Sequence, residues 1–97
     1  MNIYFISPSD KELDDAFNYY EEQLQGLGYQ FLEHIENTIA LIQKAPLAWR
    51  KISTNTRRIN VKQFPYLILY IFENDTIFVT CIAHAHRDPK YYLSRAK

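Results

Sequence analysis

Apolar side chains recur at helical spacing twice in the first half of the chain. In the first set, offsets of 3, 4, 7 and 11 residues place them on one face of a helix that ends near Gln25. In the second set, a repeat of 3.5 residues predicts a helix that ends before Pro46. Because only the segment GLG at 26–28 separates the two, we expect an antiparallel helical hairpin. The sets are Leu13, Ala16, Phe17, Tyr20 and Leu24, and Leu32, Ile35, Ile39 and Ile42.

Two local patterns are candidates for the start of the first helix. Ser7 could cap it, with Pro8 at the first helical position. Alternatively, Ser9 and Glu12 have the spacing of a capping box, in which each side chain accepts a hydrogen bond from the backbone N–H of the other residue. Both alternatives leave acidic residues in the first turns, where the helix dipole favours them.

Shorter segments rich in β-branched and aromatic residues flank the hairpin and predict strands. NIYFIS precedes the helices, whereas RRINVKQF, PYLILYIF and TIFVTCIAHAH follow them, with ENDT as the turn between the last two. The segment PLAWRKISTNT is a loop or the approach to a strand, and the tail DPKYYLSRAK could hold one short helical turn. The order β-α-α-β-β-β predicts an α+β domain, with the helical hairpin on one face of a mainly antiparallel sheet.

The predicted strand YLILYIF is apolar on both of its faces. One face can be covered by the helical hairpin. We expect the other face to carry the large aromatics, with Tyr66 and Tyr70 as its polar-tipped members, and to be wrapped by the tail or left for a partner. The alternating sets are Leu67, Leu69 and Ile71 on one side, and Tyr66, Ile68, Tyr70 and Phe72 on the other.

Length and composition restrict the class of protein. A chain of 97 residues is expected to form a single domain, residues 1–97. The segment MNIYFISPSD lacks the basic region and the apolar run of a signal peptide, and no stretch approaches the roughly 20 apolar residues of a membrane span. The single cysteine, Cys81, cannot form an intramolecular disulfide. We therefore expect a cytoplasmic protein with no membrane partner.

Charge is segregated along the chain although the net charge is zero. Residues 1–36 carry eight acidic residues against one basic residue (−7), and residues 37–72 carry six basic residues and no acidic one (+6). Residues 73–97 carry four basic and three acidic residues (+1). Such asymmetry is expected where one part of the surface meets an anionic partner, but an acidic helix that faces basic strands would explain it equally well.

The segment TCIAHAHRDP contains the residues that most resemble a metal or nucleophilic site. His84 and His86 share a strand face and Asp88 could join them, but no third ligand is clearly placed. We therefore expect ordinary strand-end histidines, no bound metal and no other cofactor. Cys81 lies in an apolar run, where a thiol is packed rather than activated. Asp88 precedes a proline and should begin a turn or pair with an arginine of the basic strand.

Cations and aromatics near the sheet are better candidates for a functional surface. Guanidinium groups bind phosphate in a bidentate manner, and tyrosine and histidine stack on bases. Metal-free RNA cleavage would draw its base, its acid and its cation from such a set. Because successive strand residues face opposite ways, at most one of Arg57 and Arg58 can join a given cluster. The predicted partner- or target-binding residues are Arg57, Arg58, Lys62, Tyr66, Tyr70, His84 and Arg87.

In combination, these features resemble the RelE/ParE superfamily of bacterial type II toxins. The resemblance runs through SPSDKELDDAFNYYEEQ, GLGYQFLEHIE, APLAW and RRINVKQFPYLILYIFENDTIFVTCIAHAHRDPKYY, which is nearly the whole chain. It implies the RelE/ParE toxin fold and a toxin that a cognate antitoxin neutralises. The C-terminal segment of such an antitoxin is commonly acidic and folds on binding, so the predicted cations would be natural contacts.

The superfamily contains two activities. ParE-like members poison DNA gyrase, and the segments GLGYQF and HAHRDPKYY look closer to that branch. RelE-like members cleave mRNA on the ribosome without a metal, and in that alternative the catalytic residues would be Arg58, Arg87 and Tyr91. A non-toxic binding module of the same fold is the third hypothesis.

Overall fold

The computed structural model describes residues 1–96 and contains one five-stranded sheet in the order β1-β5-β4-β3-β2. β1 pairs with β5 in parallel, and every other pair of neighbouring strands is antiparallel. The helical hairpin packs on one face of this sheet, which confirms the predicted α+β architecture. The elements are β1 (Asn2–Phe5), α1 (Ser9–Gln23), α2 (Leu27–Lys44), β2 (Arg50–Lys51), β3 (Thr56–Asn60), β4 (Tyr66–Glu73), β5 (Thr76–His84) and α3 (Pro89–Leu93).

Two short elements refine the predicted order. Within the segment that was expected to be a loop or the approach to a strand, Arg50 and Lys51 form β2 and pair with Arg58 and Arg57. The helical turn predicted in the tail is α3. None of the helices within residues 1–96 combines the length and the apolar character that crossing a bilayer requires.

The turn between α1 and α2 depends on two glycines and one carboxylate. Gly26 has a φ of 92°, which lies in the left-handed region that glycine tolerates best. Glu21 Oε1 accepts hydrogen bonds from the backbone N–H groups of Gly26 and Gly28, each at 3.0 Å. A Cβ atom at Gly28 would lie 2.8 Å from the carbonyl oxygen of Phe17, so the close approach of the two helices requires glycine there. These contacts fix the antiparallel hairpin.

The assignment of the two faces of β4 was wrong. Tyr66, Ile68, Tyr70 and Phe72 face the helices, where they belong to the main hydrophobic core. The opposite face carries aliphatic residues of β4 and the side chains of β5 that pack with them, and Tyr92 of α3 covers this group. The tail therefore wraps part of the second face. This second cluster is Leu67, Leu69, Cys81, Ala83 and Tyr92.

Tyr70 can lie in the main core because its hydroxyl has a hydrogen-bond acceptor there. Tyr70 is fully buried, and its hydroxyl donates a hydrogen bond of 2.7 Å to the carbonyl oxygen of Pro46. Arg57 fixes the same loop, since its Nη1 donates to the carbonyl oxygens of Leu47 at 3.1 Å and Trp49 at 2.8 Å. A buried phenol is stable when its polar end is satisfied in this way. Together, Tyr70 and Arg57 attach the loop after α2 to the sheet.

We predict that Tyr70→Phe lowers the free energy of unfolding by about 1 kcal/mol, because it removes this hydrogen bond and keeps the ring. Tyr29→Phe is the matched control, since Tyr29 is 66% exposed and also keeps its ring in the variant. Urea denaturation of the two variants and the wild type measures the difference. Equal losses of stability in the two variants would contradict the anchoring role of Tyr70.

Candidate functional site

The outer edge of β5 is the feature around which the candidate site is built. β1 pairs only with Thr76–Val79, so the second half of β5 continues beyond the strand that covers its first half. Beyond Val79, side chains rather than a strand bind backbone groups at the outer edge of β5. The N–H of Ile82 donates to Glu12 Oε1 at 3.1 Å, and Arg95 Nη1 donates to the carbonyl oxygen of Thr80 at 3.4 Å. α1 and the tail thus satisfy backbone groups that a neighbouring strand would otherwise bind.

Glu12 is the centre of this arrangement. Its carboxylate binds the Arg95 guanidinium through two contacts of 2.8 Å, and it also accepts a hydrogen bond from the Tyr91 hydroxyl. Burial opposes ionisation of Glu12, but the hydrogen bonds from Arg95, Tyr91 and Ile82 outweigh it and hold the pKa of Glu12 below its ordinary value of 4.5. The same ion pair raises the pKa of Arg95. The carboxylate therefore stays charged at neutral pH and ties the tail to α1.

Both predicted starts of α1 were wrong: Pro8 rather than Ser7 occupies the N-cap position before Ser9, and no side chain caps the helix. Ser9 does not cap the helix; its hydroxyl donates to the carbonyl oxygens of Ile6 at 2.7 Å and Val79 at 2.9 Å. Glu12, the other half of the predicted box, points at β5 instead. The hydrogen bonds that Ser9 and Glu12 make to the backbone of β5 replace the local pairing between the two residues. The spacing of residues in the sequence does not reveal these long-range partners.

A cleft of about 220 Å³ lies next to the Glu12 carboxylate, between α1, the end of β5 and α3. Tyr66 and His84 are paired across β4 and β5, with ring centroids 5.4 Å apart. The Arg87 guanidinium lies 3.6 Å from the centroid of the Tyr91 ring, within the range of a cation–π contact. The cleft thus brings together four residues that the sequence had singled out: Tyr66, His84, Arg87 and Tyr91.

The remaining predicted residues lie elsewhere. Arg57 and Tyr70 hold the loop after α2, and Tyr70 has no exposed surface through which a partner could touch it. Arg58 lies on the face of the sheet opposite to Arg57, where its Nη1 is 3.5 Å from the Tyr92 hydroxyl. Lys62 is exposed beside α2, in a different groove. Arg57 and Arg58 therefore face opposite ways, as strand geometry predicts, and Arg58 is not in the cleft that holds Arg87 and Tyr91.

The chemistry of the cleft suits binding better than proton transfer. Burial and the hydrogen bond to Glu12 raise the pKa of Tyr91, so this phenol is a poor general base at neutral pH. Burial also raises the pKa of Tyr66. His84 Nδ1 accepts a hydrogen bond of 3.1 Å from the N–H of His86, which commits that nitrogen. Arg87 is the exposed cation of the group and is available to an anionic or carboxylate-bearing ligand.

The other candidates from the sequence have structural positions. Burial raises the pKa of Cys81 to about 12, which leaves its thiol protonated in the second apolar cluster. Asp88 caps α3 by accepting a hydrogen bond of 3.0 Å from the N–H of Lys90, so it begins a turn as expected rather than pairing with an arginine of β3. Within residues 1–96, no three His, Cys, Asp or Glu side chains gather as ligands of one metal ion would.

Sequence reasoning missed four residues of this region: Glu12, Asp15 and Tyr19 on α1, and Arg95 in the tail. Glu12 and Arg95 are 83 positions apart, so no local spacing connects them. The one available signal was indirect: packing of the tail was one of two ways to cover the second apolar face of β4, and Arg95 is the arginine of that tail.

Comparisons with known proteins agree with this architecture. The family model for the ParE toxin of the type II toxin–antitoxin system parDE matches residues 4–89. No curated protein matches the chain. The chromosomal ParDE system from P. aeruginosa is similar in structure, with a TM-score of 0.75 at 11% identity over 87% of this chain and 95% of that chain.

Two E. coli structures are also similar. The isolated RelE toxin has a TM-score of 0.65 at 15% identity and covers 97% of this chain and 94% of its own. The toxin in the intact RelBE toxin–antitoxin complex has a TM-score of 0.65 at 15% identity, over 89% of this chain and 98% of that chain. At these identities the likeness establishes the shared fold.

We predict that Glu12→Gln lowers the free energy of unfolding at neutral pH by about 1–3 kcal/mol, because it removes the charge that binds Arg95. The loss should depend on pH. Since the pKa of Glu12 is lowered in the folded state, its contribution is complete above 4.5 and disappears as the pH falls through the folded-state value. Urea denaturation between about pH 7 and about pH 3 should therefore show the wild type and the variant converging in acid.

Asp14→Asn is the matched control for this experiment, because Asp14 is exposed on the same helix. Its effect on stability should be close to zero and nearly independent of pH. A constant difference between the wild type and Glu12→Gln over the whole pH range would show that the charge of Glu12 does not stabilise the fold.

Proposed function

The chain belongs to the ParE family of toxins from type II toxin–antitoxin systems, and on that premise we propose that it inhibits bacterial growth by poisoning DNA gyrase. The observation that carries the proposal is the family match, which extends over residues 4–89 and so includes both the helical hairpin and the cleft. Gyrase as the target implies a cytoplasmic location. It also implies action by binding rather than by chemistry.

The cleft supports an inhibitor that acts by binding. A nuclease that cuts RNA without a metal needs a base, an acid and a cation around one phosphate. Here the Tyr91 hydroxyl is bound to Glu12, and Arg58 lies on the other face of the sheet from the pair Arg87 and Tyr91. In our proposal, the exposed Arg87 guanidinium and the neighbouring rings of His84 and Tyr66 contact the target protein.

Neutralisation by a cognate antitoxin is the second part of the proposal. The E. coli RelE toxin, whose fold this chain shares, has been solved in complex with its antitoxin. Residues 37–72 carry six basic residues and no acidic one, which suits an acidic segment of a partner. Arg58 and Lys62 are the predicted cations of this region that retain exposed surface and do not hold the loop after α2. We propose them as antitoxin contacts.

One observation favours a ribosome-dependent mRNA endonuclease as the alternative. Arg87, Tyr91 and His84 share a cleft, and these residue types can bind phosphate and stack on bases. In that case Tyr91 would have to leave Glu12 before it could act on RNA. The two functions differ in what they damage, since one traps DNA cleaved by gyrase and the other cuts mRNA.

We predict that expression of the chain alone stops growth and causes filamentation, and that co-expression of a cognate antitoxin restores growth. The purified protein should make gyrase accumulate cleaved DNA. Arg87→Ala should weaken this effect about tenfold, because it removes the exposed cation of the cleft. Lys90→Ala is the control of equal charge change at a neighbouring exposed position and should match the wild type.

The outcomes separate the hypotheses. If gyrase supercoils normally at about micromolar toxin while transcripts are cut on ribosomes, the nuclease alternative replaces the gyrase proposal. Normal growth under strong expression without an antitoxin would instead identify a non-toxic binding module.

A further inference from the structure

The two edges of the sheet differ in how well they are protected against pairing with another strand. β2, at one edge, consists of only Arg50 and Lys51, and both are exposed cations. Shortness and charge are the usual means by which proteins keep a sheet edge from pairing with a second chain. β1, at the other edge, is four residues long, and residues 1–9 contain no charged side chain. The β1 edge is therefore the less protected of the two.

The backbone of β1 directs hydrogen-bonding groups away from the sheet. The N–H of Ile6 donates to the carbonyl oxygen of Val79, towards β5, at 2.8 Å. Because backbone groups alternate in direction along a strand, Tyr4 also points towards β5, whereas Ile3 and Phe5 point their N–H and carbonyl groups outwards. Within residues 1–96, no strand of the sheet lies beyond β1. Ile3 and Phe5 therefore offer donors and acceptors to a further strand.

Apolar side chains beside this edge are exposed. The side chains of Ile3 and Phe5 pack against the main core, so the alternating residues Tyr4 and Ile6 lie on the face of the sheet opposite to the helices. Tyr4 is 54% exposed and Ile6 is 43% exposed. The Tyr4 ring stacks beside Phe78 of β5, with ring centroids 6.0 Å apart and an interplanar angle of 23°. A further strand at this edge would cover that apolar surface.

The absence of charge identifies a second copy of the same strand as the partner that fits. A two-fold axis brings identical surfaces together, so a charged edge repels its own copy and an uncharged edge does not. Pairing through β2 would place Arg50 and Lys51 against each other, whereas pairing through β1 brings together only Asn2 and apolar side chains. A charged segment of another protein would meet no opposite charge within residues 1–9. The edge is therefore complementary to itself.

One register satisfies the outward backbone groups of both copies. In an antiparallel pair centred on Tyr4, Ile3 of one copy lies opposite Phe5 of the other, and the two residues exchange both of their N–H···O bonds. The two Tyr4 residues then form the non-hydrogen-bonded pair on the axis, with Cα atoms about 4.5 Å apart. Their rings extend the stack of Tyr4 and Phe78 from one copy into the other.

We propose that β1 pairs with β1 of a second copy of this chain, antiparallel and centred on Tyr4, so that the two sheets join across a two-fold axis. The residues that line the cleft all lie outside residues 1–9, so each copy keeps its cleft and the dimer presents two of them to a target. A contact between such short strands buries on the order of 1,000 Å² or less, which is typical of weak complexes. The dissociation constant is therefore roughly 10–100 µM.

Analytical ultracentrifugation of the purified chain between about 1 and about 300 µM measures the association. The mass should rise from 11.6 kDa towards twice that value as the concentration increases. Tyr4→Lys should stay monomeric throughout, because it places like charges opposite each other on the axis. Leu47→Lys is the matched control, since Leu47 is 65% exposed in the loop after α2, and this variant should dimerise like the wild type. Circular dichroism checks the fold of both variants.

Cysteine cross-linking tests the register. Tyr4→Cys places two thiols in the non-hydrogen-bonded pair, where a Cα separation of about 4.5 Å lies within the range of a disulfide. Oxidised glutathione should therefore link this variant into a covalent dimer. Ile6→Cys, whose thiol faces Asn2 of the second copy, should link at least about tenfold more slowly. Cys81 does not interfere, because burial raises the pKa of its thiol to about 12.

Several results would overturn the inference. One is a wild type that keeps the monomer mass up to about 300 µM; another is a dimer that Tyr4→Lys leaves intact, since a different surface would then join the copies. Equal cross-linking of Tyr4→Cys and Ile6→Cys would show that the thiols meet by random collision. If the wild type is monomeric and Tyr4→Lys weakens only the binding of a cognate antitoxin, the antitoxin occupies the β1 edge instead. The proposed action on gyrase stands or falls separately, by the accumulation of cleaved DNA.

Discussion

The carboxylate of Glu12 makes the interactions on which the end of the fold that holds the candidate cleft depends. β5 is longer than the strand that covers its first half, so backbone groups at its outer edge need partners from elsewhere. Glu12 supplies an acceptor to Ile82 and simultaneously binds Arg95 and Tyr91. One carboxylate thereby completes the edge of the sheet and fixes the tail against α1. Without it, the tail would lose its ionic attachment and Tyr91 its position beside Arg87.

The same interactions give the neighbouring cleft its chemical character, because Glu12 and Tyr91 line it. The cleft combines carboxylates, phenols and one exposed arginine, and its Tyr91 hydroxyl already donates a hydrogen bond to Glu12.

Local periodicity and turn chemistry were enough to predict most of the fold. The helical hairpin follows from its helical periodicity and its glycines, and the antiparallel pairing of β4 with β5 follows from the tight turn between them. The register shift between Leu69 and Tyr70, which brings Tyr66 opposite His84, has no signal in the sequence pattern. β2 escaped prediction because two residues carry no periodic pattern. The two faces of β4 were assigned the wrong way round because a tyrosine is expected at the surface unless its hydroxyl has a hydrogen-bond acceptor in the core. For Tyr70 that acceptor is the carbonyl oxygen of Pro46. The Glu12 cluster joins distant parts of the chain, so it required the tertiary structure.

The most direct test of the central role of Glu12 is the amide hydrogen exchange of Ile82, measured by NMR in the wild type and in Glu12→Ala. This amide should be protected in the wild type and exchange at least about tenfold faster in the variant, while the amide of Ile68 inside the sheet keeps its protection. Equal protection of Ile82 in the two proteins would contradict the central role of Glu12, because the edge of β5 would then be satisfied without the carboxylate.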